Sequence, residues 1–160
     1  AGYVVCRVKK ERFWRYFDLI APAIALAQGF GRIGCLLAGC CYGKETDSSC
    51  SITFHSSDIA PNGVALIPTQ IYSSILDFLN CIVLCLIARR AKKEKTVAGC
   101  YLLFYSTGRF ILEFFRGDLE RGSVGVISTS QFISIFIFAI GAVMLLIGRK
   151  QPIVQEMKDY

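Results

Sequence analysis

Histidine is almost missing from this chain, and its cysteines, although frequent, lack the pairing that metal sites use. His55 is the single histidine among 160 residues. Cys35, Cys40, Cys41 and Cys50 contain no C-x-x-C pair, so their spacing offers no zinc site and no metal or other cofactor is expected. A lone histidine in a polar loop is more often a surface residue than a catalyst. No stretch has the composition of a secretory signal peptide. Internal repeats and pseudo-symmetry between the two halves are also missing, which argues against a transporter built from repeats. Polar chain is scarce as well: the one long polar stretch lies between Gly39 and Ile67, too little for a soluble domain.

What is abundant is apolar surface. Hydrophobic residues make up 54% of the chain, with 12 Phe, and the mean hydropathy is +0.49. The expected fold class is therefore all-α: a polytopic membrane helical bundle with four transmembrane helices, forming a single integral-membrane domain over residues 1–160. The spans read as Phe17–Leu37, Ile71–Ala88, Ala98–Phe115 and Val126–Ile147. Pro68-Thr-Gln-Ile-Tyr72 opens the second span, with proline suited to a first helical turn. Alternation over Cys50–His55 suggests a short strand. Ala1–Cys6 reads as the tail of an earlier apolar segment, so further helices upstream are expected. Basic clusters at Arg7–Arg15, Arg89–Lys95 and Arg149–Lys150 alternate with loops poor in Lys and Arg. By the positive-inside rule both ends are then cytoplasmic, and the Gly39–Ile67 and Gly117–Gly125 loops face outward.

Against this background Gly31-Arg-Ile-Gly-Cys-Leu-Leu-Ala-Gly-Cys-Cys-Tyr-Gly43 is anomalous. It places Arg32 at the end of an apolar run, where a charge costs roughly 2.5–3.5 kcal/mol and normally faces a protein interior or a watery cavity. Gly34, Gly39 and Gly43 permit turns and close backbone approach to a ligand. Gln28 lies one helical turn before Arg32 on the same face. In the second span Gln70, Ser73 or Ser74, Asp77 and Asn80 recur at helical spacing, a stripe that faces protein or water. In the third, Gly108-Arg-Phe-Ile-Leu-Glu-Phe-Phe-Arg-Gly-Asp118 puts Arg109, Glu113 and Arg116 on one side. Glu113 is expected to orient Arg109 while the arginines grip an anionic head group. The plainer alternative is an ion pair that locks helices together. Cys6, Cys81, Cys85 and Cys100 fall in or near apolar helices as small hydrophobes, and a loop disulfide from Cys50 to Cys40 or Cys41 stays open.

Three of these segments, Gly31-Arg-Ile-Gly34 closing with Gly43, Pro68-Thr-Gln-Ile-Tyr72, and Gly108-Arg-Phe-Ile-Leu-Glu-Phe-Phe-Arg116, resemble the prolipoprotein diacylglyceryl transferases of bacterial membranes. Ser128 and Gln131 in the closing span fit as well, and the likeness covers nearly the whole chain. It implies transfer of a diacylglyceryl group from phosphatidylglycerol to the thiol of the lipoprotein-signal cysteine, at the outer face of the bacterial cytoplasmic (inner) membrane. Membrane lipids and prolipoprotein signal peptides would be the partners, with no nucleic acid. Carried over, Arg32, Arg109 and Glu113 resemble the catalytic set, and Arg32, Gly34, Gly43, Gln70, Tyr72, Arg109 and Arg116 the substrate-binding set. This chain departs from the family pattern at Cys35 (usually asparagine), Cys40 (commonly glutamate) and Ile67 (often histidine). The family's upstream helices, with their histidine-bearing loop, are not in this sequence, and no general base is assigned. The other readings are a divergent, non-catalytic protein that binds anionic lipid, and a transporter.

Overall fold

A computed structural model of the chain describes residues 13–117 and 127–147, together with Cys6, Val8, Ser123 and Val124. Much of the first basic cluster, the last one, Asp118 and Val126 lie outside the described residues. Four long helices carry the fold: α1 (Phe13–Leu37), α2 (Thr69–Arg90), α3 (Thr96–Glu113) and α4 (Thr129–Ile147). Two antiparallel ribbons accompany them, β1 (Ile52–Thr53) with β2 (Ala65–Leu66), and β3 (Ser123–Val124) with β4 (Ile127–Ser128). β1 falls inside the segment whose alternation suggested a strand. The last helix starts at Thr129 rather than Val126, because Ile127 and Ser128 are taken up by the second ribbon.

The bundle is inside-out relative to a water-soluble one. Many of its buried positions are polar or small, including Asp18, Ala21, Ala25, Gln70, Ser74, Asp77, Asn80, Ser106, Gln131 and Ser134, beside a compact apolar cluster of Leu84, Val97 and Tyr101. Its large apolar side chains point outward, Ile75, Leu79, Ile82 and Leu86 on α2 and Ile133, Phe136, Ile140 and Leu146 on α4 among them. An apolar surface of that extent suits a membrane protein, in which helix association relies on close packing and interhelical hydrogen bonds. Among the described residues three helices, α1, α2 and α4, are long and apolar enough to cross a membrane.

Both kinds of interaction hold the helices together. α1 packs on α2 and α3 on α4, with lighter contact between the two pairs. At the first crossing the Ser74 hydroxyl donates to the Gly29 carbonyl at 2.9 Å, and Phe78 lies over the position a Gly29 Cβ would take. At the second, Gly99 and Gly141 face each other so closely that a Cβ on either would reach the other's carbonyl oxygen at 3.0–3.1 Å. The pairs are joined by the Tyr101 hydroxyl on α3, which donates to Gln28 Oε1 on α1 at 3.0 Å. They are joined also by Asp18, whose carboxylate on α1 accepts the backbone N–H of Lys95 at 2.6 Å and of Ala98 at 2.7 Å. α3 has no side-chain cap at its own Lys95, which is left-handed at φ 68°. Asp18 satisfies these orphan N–H groups from another helix, and its charge suits the positive end of the helix dipole.

At the opposite end of α3 a small backbone layer covers the bundle. The segment 42–45 runs between residues 65–67 and 115–117. Gly43 N–H donates to Ile67 O (3.0 Å), Lys44 N–H to Phe115 O (2.9 Å), Ile67 N–H to Lys44 O (2.9 Å) and Gly117 N–H to Tyr42 O (3.2 Å). Gly43 is required there on steric grounds, since a Cβ would lie 2.5 Å from Ile67 O and 3.0 Å from Phe115 O. This layer also ends α3. The helix stops at Glu113, not Phe115, because Arg116 is drawn into a bridge with Gly43. Arg116 thus shares no continuous helical face with Arg109 and Glu113, and its position is set by the layer instead.

Candidate functional site

The end of α1, the start of α2 and the end of α3 meet beneath that layer. Arg32, Thr69, Gln70, Ser73, Arg109, Leu112, Arg116 and Cys41 line one small polar cavity there. Each guanidinium arrives by a different route: Arg32 on the last turns of α1, Arg109 one turn before the end of α3, and Arg116 through the Gly43 bridge. Arg109 Nη2 stands 3.6 Å from Glu113 Oε2 and donates to Ser130 Oγ on α4 at 3.2 Å. Glu113 thus holds Arg109 along the helix, as expected from their spacing, and Ser130 holds it across helices.

A larger cavity of about 690 Å³ adjoins this one and runs between α2 and α3. Its polar lining includes Arg32, Ser73, Asp77, Asn80 and Arg109, and its apolar walls include Leu76, Leu79, Val83, Phe104, Ile111 and Phe138. All six of these wall residues are also exposed on the outside of the bundle, so the cavity opens sideways where lipid would lie. Asp77 is within electrostatic reach of both Arg32 and Arg109, and Arg109 in turn of Arg116, Glu113 and Arg32. Among the described residues, three guanidiniums and two carboxylates thus stand within electrostatic reach of one another, and the planar forks of the arginines match the geometry of an oxyanion.

The first turn of α2 fixes the floor of the smaller cavity. Thr69 Oγ1 donates to Cys41 O at 2.8 Å and Gln70 Nε2 to Cys40 O at 2.9 Å. Gln70 is 1% exposed, and its Oε1 has no hydrogen-bond partner among the described residues. A buried amide oxygen left in that condition is ready for a donor on a ligand.

Of the residues singled out from the sequence, Arg32, Gln70, Arg109 and Arg116 converge on this cavity, with Glu113 behind Arg109. Gly43 does not line it and acts through backbone packing. Gly34 lies on the exposed side of α1 with nothing within 4 Å of a would-be Cβ, and Tyr72 is exposed and lines neither cavity. His55 is exposed. No disulfide joins cysteines among the described residues: Cys50 is exposed, whereas Cys35, Cys40 and Cys41 bring their Sγ atoms within 4.8 Å of one another. Burial and the neighbouring thiols push Cys40 up to about 11. The spacing C-x4-C-C gave no signal of that grouping, which depends on how the chain turns after α1. Asp77 stood in the polar stripe of the second span, but only the fold places it between two arginines.

Together these features define a helical membrane protein with a charged cavity that opens between its helices. The prolipoprotein diacylglyceryl transferase family model matches residues 1–147, and the chain belongs to that family. It is 51% identical over 158 residues to phosphatidylglycerol–prolipoprotein diacylglyceryl transferase 2 of Clostridium perfringens, covering 94% of this chain and 60% of the relative. It is 49% identical over 147 residues to the phosphatidylglycerol–prolipoprotein diacylglyceryl transferase of Clostridium tetani, covering 92% and 59%. A protein of the same name from Finegoldia magna is 32% identical over 157 residues, covering 98% and 60%. The chain thus spans about three-fifths of the length of these relatives.

Proposed function

We propose that the complete protein transfers a diacylglyceryl group from phosphatidylglycerol to the cysteine thiol of prolipoprotein signal peptides, and that this chain holds the donor lipid. The observation that carries this reading is the pairing of an arginine-lined polar cavity with an adjoining cleft whose apolar walls are exposed on the side of the bundle. The lipid phosphate would sit between Arg32 and Arg109, whose planar guanidiniums match its oxygens bidentately, with the acyl chains along Leu76, Leu79 and Phe104. Arg116 and the free Gln70 Oε1 stand where the glycerol of the head group would lie. Glu113, Asp77 and Ser130 act as positioning residues.

In the reaction the thiol sulfur attacks the glycerol carbon that bears the phosphate ester, forming the C–S bond as the C–O bond breaks. Glycerol phosphate leaves, and the thiol proton ends on the departing phosphate or in solvent. Arginines at the phosphate favour this step by stabilising the charge that develops on the leaving oxygen. α3, roughly 27 Å long at about 1.5 Å per residue, would be the fourth crossing despite its charges, shielded by its neighbours. Both ends of the chain would be cytoplasmic and the arginine cavity would lie at the outer face of the bacterial inner membrane.

The test is transfer of labelled diacylglyceryl from phosphatidylglycerol to a lipoprotein-signal peptide by the complete protein. Arg32→Lys and Arg109→Lys should each lose most activity, since lysine keeps the charge and loses the fork. Near-normal transfer by both variants would reject the phosphate clamp. Tight phosphatidylglycerol binding without any transfer by the unaltered protein would favour a lipid-binding role instead.

A further inference from the structure

Beside the arginine cavity, the turn that follows α1 gathers three thiols that the transfer reaction does not use. Cys35 lies in the last turns of α1, and Cys40 and Cys41 follow the helix end. Their Sγ atoms all fall within 4.8 Å of one another. Two left-handed residues bring this about: Gly39 at φ 68° reverses the chain, and Cys41 at φ 60° turns it again. A non-glycine residue in that region costs of order 1–3 kcal/mol and persists only where its surroundings impose it. The surroundings here are explicit. Cys40 N–H donates to Cys35 O at 3.0 Å, Gln70 holds the Cys40 carbonyl and Thr69 holds the Cys41 carbonyl. The three sulfurs are therefore placed by a strained turn fastened to α2, not by a loop free to spread.

We propose that Cys35, Cys40 and Cys41 form a three-thiolate binding site for a thiophilic d10 cation such as Zn2+, Cd2+ or Cu+. With metal–sulfur bonds of about 2.3 Å, three sulfurs around one ion lie roughly 3.8–4 Å apart, so the observed grouping closes on an ion with small side-chain adjustments. All three donors are sulfur, which selects soft cations over Mg2+ or Ca2+. On binding, each S–H bond is replaced by a metal–sulfur bond and a proton passes to solvent. No oxidant is required, whereas a disulfide would need one and would leave the third thiol unused. Three thiolates around a divalent ion carry one net negative charge. That charge would lie next to the three arginines, because Cys41 also lines their cavity. The site is independent of whether the protein transfers lipid.

The experiment uses the full chain in detergent, stripped of metal and reduced with a phosphine. Cd2+ is titrated while sulfur-to-cadmium charge-transfer absorption is followed, and protection from alkylation is mapped by peptide mass spectrometry. The expected result is one Cd2+ per chain, displaced by Zn2+, with Cys35, Cys40 and Cys41 protected together. Cys40→Ser should weaken binding by roughly 10–100-fold or more, the scale set by loss of even an outer-shell partner, while Cys50→Ser leaves it unchanged. Should Cys40→Ser lose its helical circular dichroism, Cys35→Ser serves in its place with the same expectation. Unchanged Cd2+ affinity in the folded variant, or no joint protection, overturns the proposal, as does protection of Cys50 instead.

Discussion

Gly43→Ala tests whether the backbone layer over the bundle is what seats Arg116 at the cavity. An alanine Cβ would fall 2.5 Å from Ile67 O, 2.6 Å from Ile67 Cβ and 3.0 Å from Phe115 O. Carbon and carbonyl oxygen normally approach no closer than about 3.3 Å, so one strand must retreat by roughly 0.8 Å. Neither neighbour is a flexible side-chain tip, and both belong to backbone already bonded to residues 43 and 44. A retreat of that size stretches the Gly43–Ile67 and Lys44–Phe115 hydrogen bonds and threatens the Gly117–Tyr42 bond. At about 0.5–1.5 kcal/mol per bond, losing two or three destabilises the layer by about 1–4.5 kcal/mol, with a midpoint of about 2.5 kcal/mol. Because the same residues carry Arg116, transfer should fall at least about tenfold, the factor that 1.4 kcal/mol represents, with the larger effect on the apparent affinity for lipid. The checks are a melting curve of the complete protein in detergent and the transfer assay at several phosphatidylglycerol concentrations. Gly34→Ala is the internal comparison, since its Cβ would enter open space and alanine favours the helix, so its melting temperature should be unchanged or higher. Melting and transfer by Gly43→Ala indistinguishable from the unaltered protein would refute the reasoning.

Asp18→Ala should destabilise the protein by about 2–4 kcal/mol, because it strips the part-buried Lys95 N–H and the buried Ala98 N–H of their acceptor; denaturant unfolding in detergent checks this, and a loss below about 1 kcal/mol would show that water or Lys95's neighbours cap α3 instead. Exposed Cys50, in the loop assigned to the outer face, should react with a membrane-impermeant thiol reagent in intact cells after mild reduction; labelling only after the cells are broken would reverse the assigned orientation.

Composition and spacing alone determined much of this molecule, because in a bilayer the solvent is uniform and every unusual residue is conspicuous. Apolar runs of span length located α1, α2 and α4. The polar stripe Gln70, Ser74, Asp77 and Asn80 identified the inner face of α2, and the one-turn separation of Arg109 and Glu113 anticipated their pairing. Arg32 was legible for the same reason, since a lone guanidinium in an apolar helix requires a partner. What the tertiary structure decided are contacts made across long sequence separations, to which periodicity within a helix is blind. Asp18 looks like an interruption of the first helix until α3 begins beside it, 77 residues later in the chain. Gly43 looks like a ligand-binding glycine until Ile67 and Phe115 close over it, and Arg116 looks helical until Gly43 pulls it out of α3. The grouping of Cys35 with Cys40 and Cys41 depends on two left-handed residues, and a left-handed cysteine such as Cys41 leaves no mark in a sequence, because the torsion is imposed by Thr69 and Gln70 from another helix.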